Sequence, residues 1–292
     1  MHTKAFPYVG LLGFFWGSNL VAARFGTGEF SPLFFIALRL TIATLCFLPF
    51  MVTGGRTFPT SWETWKLSIV SGILGVAIPM SVFILALQYM SSGLVSIFVT
   101  AAPAFIAIAA HFFLPDEKLN TAKWGGVALA LLGSIFLVGL GESGLADVSR
   151  VDPRGPLLIF IGLVSDATHT VFVRRNMRDQ DTFQVTGIRL FIAAIILILL
   201  TLGFETISFE GVTGWGVFSL LYAALVGAIA GQFMAFYITR EFGAISFSMV
   251  AFVIPVVATI LGVIILGEVV TWAMGIGVIL IAAGIWVLNR PE

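Results

Sequence analysis

The sequence predicts an all-α integral membrane protein: ten transmembrane helices in two five-helix repeats of inverted topology, residues 1–146 and 147–292. Three observations predict it. The chain is 59% hydrophobic and 10% charged, with a mean hydropathy of +1.07. Soluble domains carry about 25% charged residues, so most of this surface must be hidden from water, and lipid hides it. The apolar residues fall into runs of about 20, the length that crosses a hydrocarbon core of about 30 Å. Marker residues in the two halves match at a nearly constant offset.

The ten runs are about 5–23, 32–53, 66–89, 92–114, 122–140, 154–173, 182–203, 213–237, 244–267 and 271–289. The third and fourth are separated by "SSG" (91–93), the eighth and ninth by "EFG" (241–243). The weakly basic start, Met1–Phe6, resembles the n-region of a secretory signal. No small-x-small cleavage site follows it, so the first run is read as a retained span.

Lys and Arg in short loops set orientation. With the N-terminus in the cytoplasm, the inner side holds Lys4, Arg56, Lys66, Lys118, Lys123, Arg174, Arg175, Arg178, Arg240 and Arg290. The outer side holds Arg24, Arg150 and Arg154. That excess places both termini in the cytoplasm. The net charge is zero, so no basic or acidic face points to nucleic acid. Cys46 is alone, which excludes a disulfide framework.

The repeat rests on ordered matches. "IALRLTIA" (36–43) aligns with "TGIRLFIA" (186–193) at an offset of 150. Ser96 and Pro103 match Ser248 and Pro255, and Gly75 and Pro79 match Gly227 and Gly231, all at 152. Gly126 and Gly133 match Gly277 and Gly284 at 151. "SN" at 18–19 also matches "SD" at 165–166. Five spans per unit is odd, so the second unit lies inverted in the membrane. Inverted repeats with a site between them are a transporter architecture.

Arg39 and Arg189 lie seven residues into their spans, about 10 Å from opposite faces. They read as structural charges that snorkel or satisfy helix carbonyls. Gly75, Pro79, Pro103, Gly227, Gly231 and Pro255 read as hinges or cavity-lining backbone, because proline removes a donor and the freed carbonyl needs another partner. Small-residue stripes, Ser92–Ser96–Thr100 and Ala244–Ser248, fit packing and cavity lining equally. "GxxxG" at Gly13–Gly17 fits close packing.

The deep polar groups are the candidate substrate contacts. Asp166 and His169 share a helix face and lie near mid-depth, as a proton site, a partner for a substrate ammonium or an internal ion pair. Asn19, with Trp16 one turn before it, and Gln232 offer amides near aromatic walls. The candidate cavity lining is therefore Trp16, Asn19, Pro79, Ser96, Thr100, Asp166, His169, Gln232 and Ser248. His111 reads as interfacial.

Other motifs fail. "GLGESG" (139–144) fits GxGxxG but lacks the strand and helix of a dinucleotide fold. No P-loop, HExxH or potassium filter occurs, so no cofactor or metal is expected. Ser165 and His169, four apart, define a rival reading as an intramembrane hydrolase, without a GxSxG to support it.

The mated "R-L-x-I-A" pieces, the "A-P…E" and "I-P…L-G-E" of spans four and nine, and above all "VIPVVATILGVIILGE" (253–268) resemble the EamA-type branch of the drug/metabolite transporter superfamily. The resemblance covers essentially the whole chain. It departs at "FFLPDE" (112–117), where "LGE" is commoner. Within the family the chain is similar to bacterial inner-membrane exporters of aromatic and neutral amino acids. The resemblance implies a secondary transporter, not an enzyme, with a cavity lined by spans one, three, four, six, eight and nine. The substrate expected is a small molecule, an amino acid first and a drug or sugar-type metabolite as the alternative. The lipid bilayer is the only other partner expected.

Overall fold

Inside a bilayer every backbone N–H and C=O must pair within its own segment, so apolar runs of this length become helices. The computed structural model describes residues 3–53, 61–146, 152–177 and 179–289, and its regular elements are all helical. Arg56, Arg150, Arg178 and Arg290, used above for orientation, lie outside the described residues, as do the side chains of Arg240 and Ser248.

After a 3₁₀ turn at Thr3–Ala5, the helices are α1 (Phe6–Glu29), α2 (Pro32–Thr53) and α3 (Trp62–Gly72). A π-helical segment, Ile73–Ala77, leads into α4 (Ile78–Ala86). Then come α5 (Ser92–Val99), α6 (Ala102–Phe113), α7 (Thr121–Gly139), α8 (Arg154–Asn176) and α9 (Thr182–Phe204). α10 (Gly214–Tyr222) runs through a second π-helical segment, Ala223–Ala230, into α11 (Gly231–Ser248). α12 (Val250–Leu266) and α13 (Trp272–Leu288) end the fold. Seven helical stretches among the described residues are long and apolar enough to cross a membrane, and three shorter apolar helices, Pro32–Phe47, Val250–Leu266 and Trp272–Leu288, accompany them.

Two expected boundaries move. The first span does not stop at 23: α1 continues to Glu29, and Arg24 and Glu29 find partners at Met90, Glu268 and Thr213, in the connections that flank other helices. "EFG" (241–243) does not separate two spans here; α11 runs through it and the chain breaks at Met249.

Packing follows small residues. α7 and α13 form the most extensive helix pair and cross antiparallel. A methyl group at Gly126 would lie 2.6 Å from the Gly284 carbonyl oxygen, and one at Gly133 would lie 3.0 Å from that of Gly277. Only glycine lets the backbones approach this closely. α2 and α9 are also antiparallel: Phe47 stacks on Phe183 at one end, and Glu205 accepts from Leu33 N and Phe34 N at the other. α1 lies on α12, where methyl groups at Gly13 and Gly17 would meet Val253 and Val257. α8 packs on α4 and α6, and α5 on α12.

One end of the bundle is tied by carboxylates that cap helices of the other half. Glu29 of α1 accepts from Thr213 N (2.8 Å) ahead of α10. Glu205, after α9, caps α2, and Glu268, after α12, caps α5. A carboxylate at a helix N-terminus pairs with free N–H groups and the positive end of the dipole.

Candidate functional site

The two π-helical segments each receive one polar side chain from the opposite half. A π turn widens the helix and leaves carbonyls out of register. Gly75, in the first segment, faces His169 of α8: a methyl group there would come within 2.6 Å of the imidazole carbons. Gly227, in the second, faces Asn19 of α1, and a methyl group there would overlap Asn19 Oδ1. Gly231 faces Trp16 one turn on. Asn19 and His169 stand 150 apart in the chain, the offset of the two arginine-bearing pieces. The "SN"/"SD" match of the sequence pairs Asn19 with Asp166 instead, at an offset of 147.

The side-chain partners follow from this placement. His169 Nε2 and Ser71 Oγ share a hydrogen bond of 3.0 Å. Ser18 Oγ and the Tyr222 hydroxyl share one of 2.8 Å. Trp16 meets Phe247 edge-on at 6.0 Å. Asn19 is 8% exposed, and its Oδ1 has no hydrogen-bond partner among the described residues. Asp166, three residues before His169 on α8, is half-buried.

Proline-freed carbonyls are satisfied across the halves. Pro79, the second residue of α4, cannot donate to Leu74 O in the π register; Ser165 Oγ donates to it instead at 2.8 Å. Pro255, inside α12, leaves Ala251 O free, and Thr100 Oγ1 approaches it at 3.3 Å while also donating to Ser96 O. Pro103 stands at the break between α5 and α6. The rival hydrolase has no dyad: Ser165 is committed to Leu74 O and His169 to Ser71.

The remaining expected lining residues scatter. Ser96 is fully buried and bonds Gly93 O of its own helix. Gln232 is exposed, and Ser248 ends α11. Arg39 is 2% exposed with Nε unpartnered, so it does not snorkel; Arg189 Nε is likewise unpartnered. His111 sits at the end of α6, accepting from Leu119 N through Nδ1.

Glu268, not among the residues expected at the site, holds the N-terminus of α5. Gly267, at φ 65°, turns the chain off α12 in the left-handed region, which glycine adopts without strain. Glu268 then folds back. Its Oε1 accepts from Ser92 N at 2.7 Å, and its Oε2 accepts from Ser92 Oγ at 2.8 Å and Gly93 N at 3.3 Å. Arg24 Nε lies 3.4 Å from Oε1, and Arg24 also donates to Met90 O. Gly262 leaves room for the carboxylate. The local letters "LGE" show only a charge just past an apolar run; the partner Ser92 lies 176 residues away. At the far end of the Ser92–Phe113 stretch that Glu268 caps, Arg174 pairs with the half-exposed Glu117 beside a hollow of about 360 Å³ lined by Phe113–Glu117, Arg174 and Arg175.

The profile of the EamA-like transporter family matches the chain twice, over residues 4–139 and 153–290. The chain belongs to the EamA-like transporter family. It is therefore a multi-pass membrane transporter. The uncharacterized transporter YoaV of Bacillus subtilis is 26% identical over 93% of this chain and 91% of its own. The uncharacterized inner membrane transporter YedA of Escherichia coli K12 is 27% identical over 94% and 88%. A WAT1-related chloroplastic protein of Arabidopsis thaliana is 24% identical over 96% and 68%. One solved crystal structure shares the fold of this EamA-type chain, with a TM-score of 0.67 at 22% identity over 99% and 98% of the two chains.

Proposed function

We propose that this EamA-type transporter exports small amphipathic metabolites, aromatic and neutral amino acids first, by alternating access across a bacterial inner membrane. Its halves, 1–146 and 147–292, are five-span units of inverted topology, and both termini are cytoplasmic. The observation that carries the substrate reading is the buried, unpartnered Asn19 Oδ1 beside Trp16, with Asp166 on the helix whose His169 faces the other π-helical segment. A zwitterion brings an ammonium for Asn19 or Asp166, a carboxylate for Arg189 and an apolar side chain for Trp16. Buried polar groups without partners are costly, and a substrate that pairs them recovers that cost. The inverted duplication is supported by the double family match. It is also supported by the α7–α13 crossing, because the offset of 151 exchanges its two glycine contacts with one another.

Counterflow of labelled phenylalanine and threonine into liposomes containing the purified protein tests the substrate. Uptake above empty liposomes is expected. Uptake no faster than empty liposomes, with a cationic drug or a sugar moved instead, overturns the amino-acid assignment.

A further inference from the structure

We infer that Arg24–Glu268 and Arg174–Glu117 are the two positioning latches of the transport cycle, one for each end, and that this conformation has the Glu268 latch engaged. The inference rests on the alternating-access reading above. Arg24 and Arg174 are 150 apart in the chain and Glu117 and Glu268 are 151 apart, the offsets at which the halves match. Each arginine stands near the end of the first helix of its half, and each glutamate follows the fourth span. Both pairs therefore join the first half to the second, at opposite ends of the Ser92–Phe113 stretch.

The two pairs are not equivalent in this conformation. Glu268 is 7% exposed and holds the N-terminus of α5 by two backbone N–H groups and a hydroxyl. Loops on either side are drawn in with it: Val269 N donates to Gly144 O at 3.0 Å and Ser91 N to Ser143 O at 2.9 Å. Among the described residues Glu117 caps no helix. At the offset of 152, the counterpart of Ser92–Leu94 is 244–246, and those residues lie inside α11, where backbone N–H groups serve the helix itself. Arg174 and Glu117 border a hollow instead.

The exchange follows from that asymmetry. When α11 breaks at 241–243, the amides of 244–246 become a free helix N-terminus, and Glu117 closes onto it with Arg174. Glu268 releases Ser92 and Gly93, and its end opens. The "EFG" that reads as a loop in the sequence and as helix here is the element with two arrangements.

The test uses Cys46→Ser protein in oriented membrane vesicles, with Ser96→Cys, one turn inside the Glu268 cap, as reporter. A membrane-impermeant maleimide is added on the Glu268 side. Glu268→Gln should raise labelling about ten-fold, the factor for losing one charge-assisted hydrogen bond, and Glu117→Gln should lower it. Unchanged labelling in Glu268→Gln, or a change of the same sign in both variants, overturns the latch. If Glu268→Gln fails to reach the membrane, Arg24→Gln, which leaves the cap in place, should raise labelling to a smaller extent, and no rise overturns the inference. Reciprocal labelling in the parent of Ser96→Cys and of its counterpart Ser248→Cys, from opposite sides, tests alternating access itself. Reciprocity with inert glutamine variants overturns the latch alone; no reciprocity in the parent overturns the access reading with it.

Discussion

His169 lies directly over Gly75, so that the imidazole occupies the space a β-carbon would need. Asn19 and Gly227 repeat the relationship in the other half. Both glycines lie in π-helical segments, so each polar side chain is positioned by a widened turn. Gly75→Ala and Gly227→Ala should each cut transport roughly ten-fold or more, because small displacements of contact groups are costly. Gly10→Ala, which meets nothing, should leave it near the parent rate. Initial rates per membrane-inserted molecule measure this.

The α7–α13 crossing should govern stability. Gly126→Ala and Gly284→Ala each press a methyl group against the facing backbone, and overpacking costs about 1–3 kcal/mol. The thermal midpoint in detergent should fall for both. Transport by the molecules that remain folded should change far less than in the Gly75 and Gly227 variants.

Arg189 of α9 and Asp166 of α8 carry opposite charges inside membrane-spanning helices, and a double variant tests whether they compensate one another. Removing one member of a compensating pair leaves the other uncompensated, which costs about 3 kcal/mol. Arg189→Gln should lower the thermal midpoint, and adding Asp166→Asn should recover part of the loss. Additive losses in the double variant would show that the two side chains do not interact.

Asp166 is also the candidate proton site. If transport is proton-driven, Asp166→Asn should abolish accumulation driven by a pH gradient and spare substrate exchange. The neutral side chain still fills the site but carries no exchangeable charge. Unchanged gradient-driven accumulation in this variant removes Asp166 from coupling.

The all-helical membrane fold was legible in the sequence because lipid leaves few alternatives to a helix: the apolar runs became long apolar helices. Gly75 and Gly227 stood out as weak points, although nothing in the letters distinguishes a π turn from a kink. The ends of elements were harder to read. Arg24 and Glu29 look like loop residues and are helical, since their charges pair with groups more than 60 residues away in the chain. Ser96 looked like cavity lining, and the hydroxyl instead bonds its own helix. Glu268 carries a cap that depends on long-range folding of Gly267 and Ser92, and no local pattern announces such a contact.

The inverted duplication is the central claim. Trp62 and Gly214 open α3 and α10, stand 152 apart and are both exposed. In Cys46→Ser protein, Trp62→Cys and Gly214→Cys should react with an impermeant maleimide from opposite faces of the membrane, Trp62→Cys from the cytoplasmic side. Reaction of both from the same face would contradict the account.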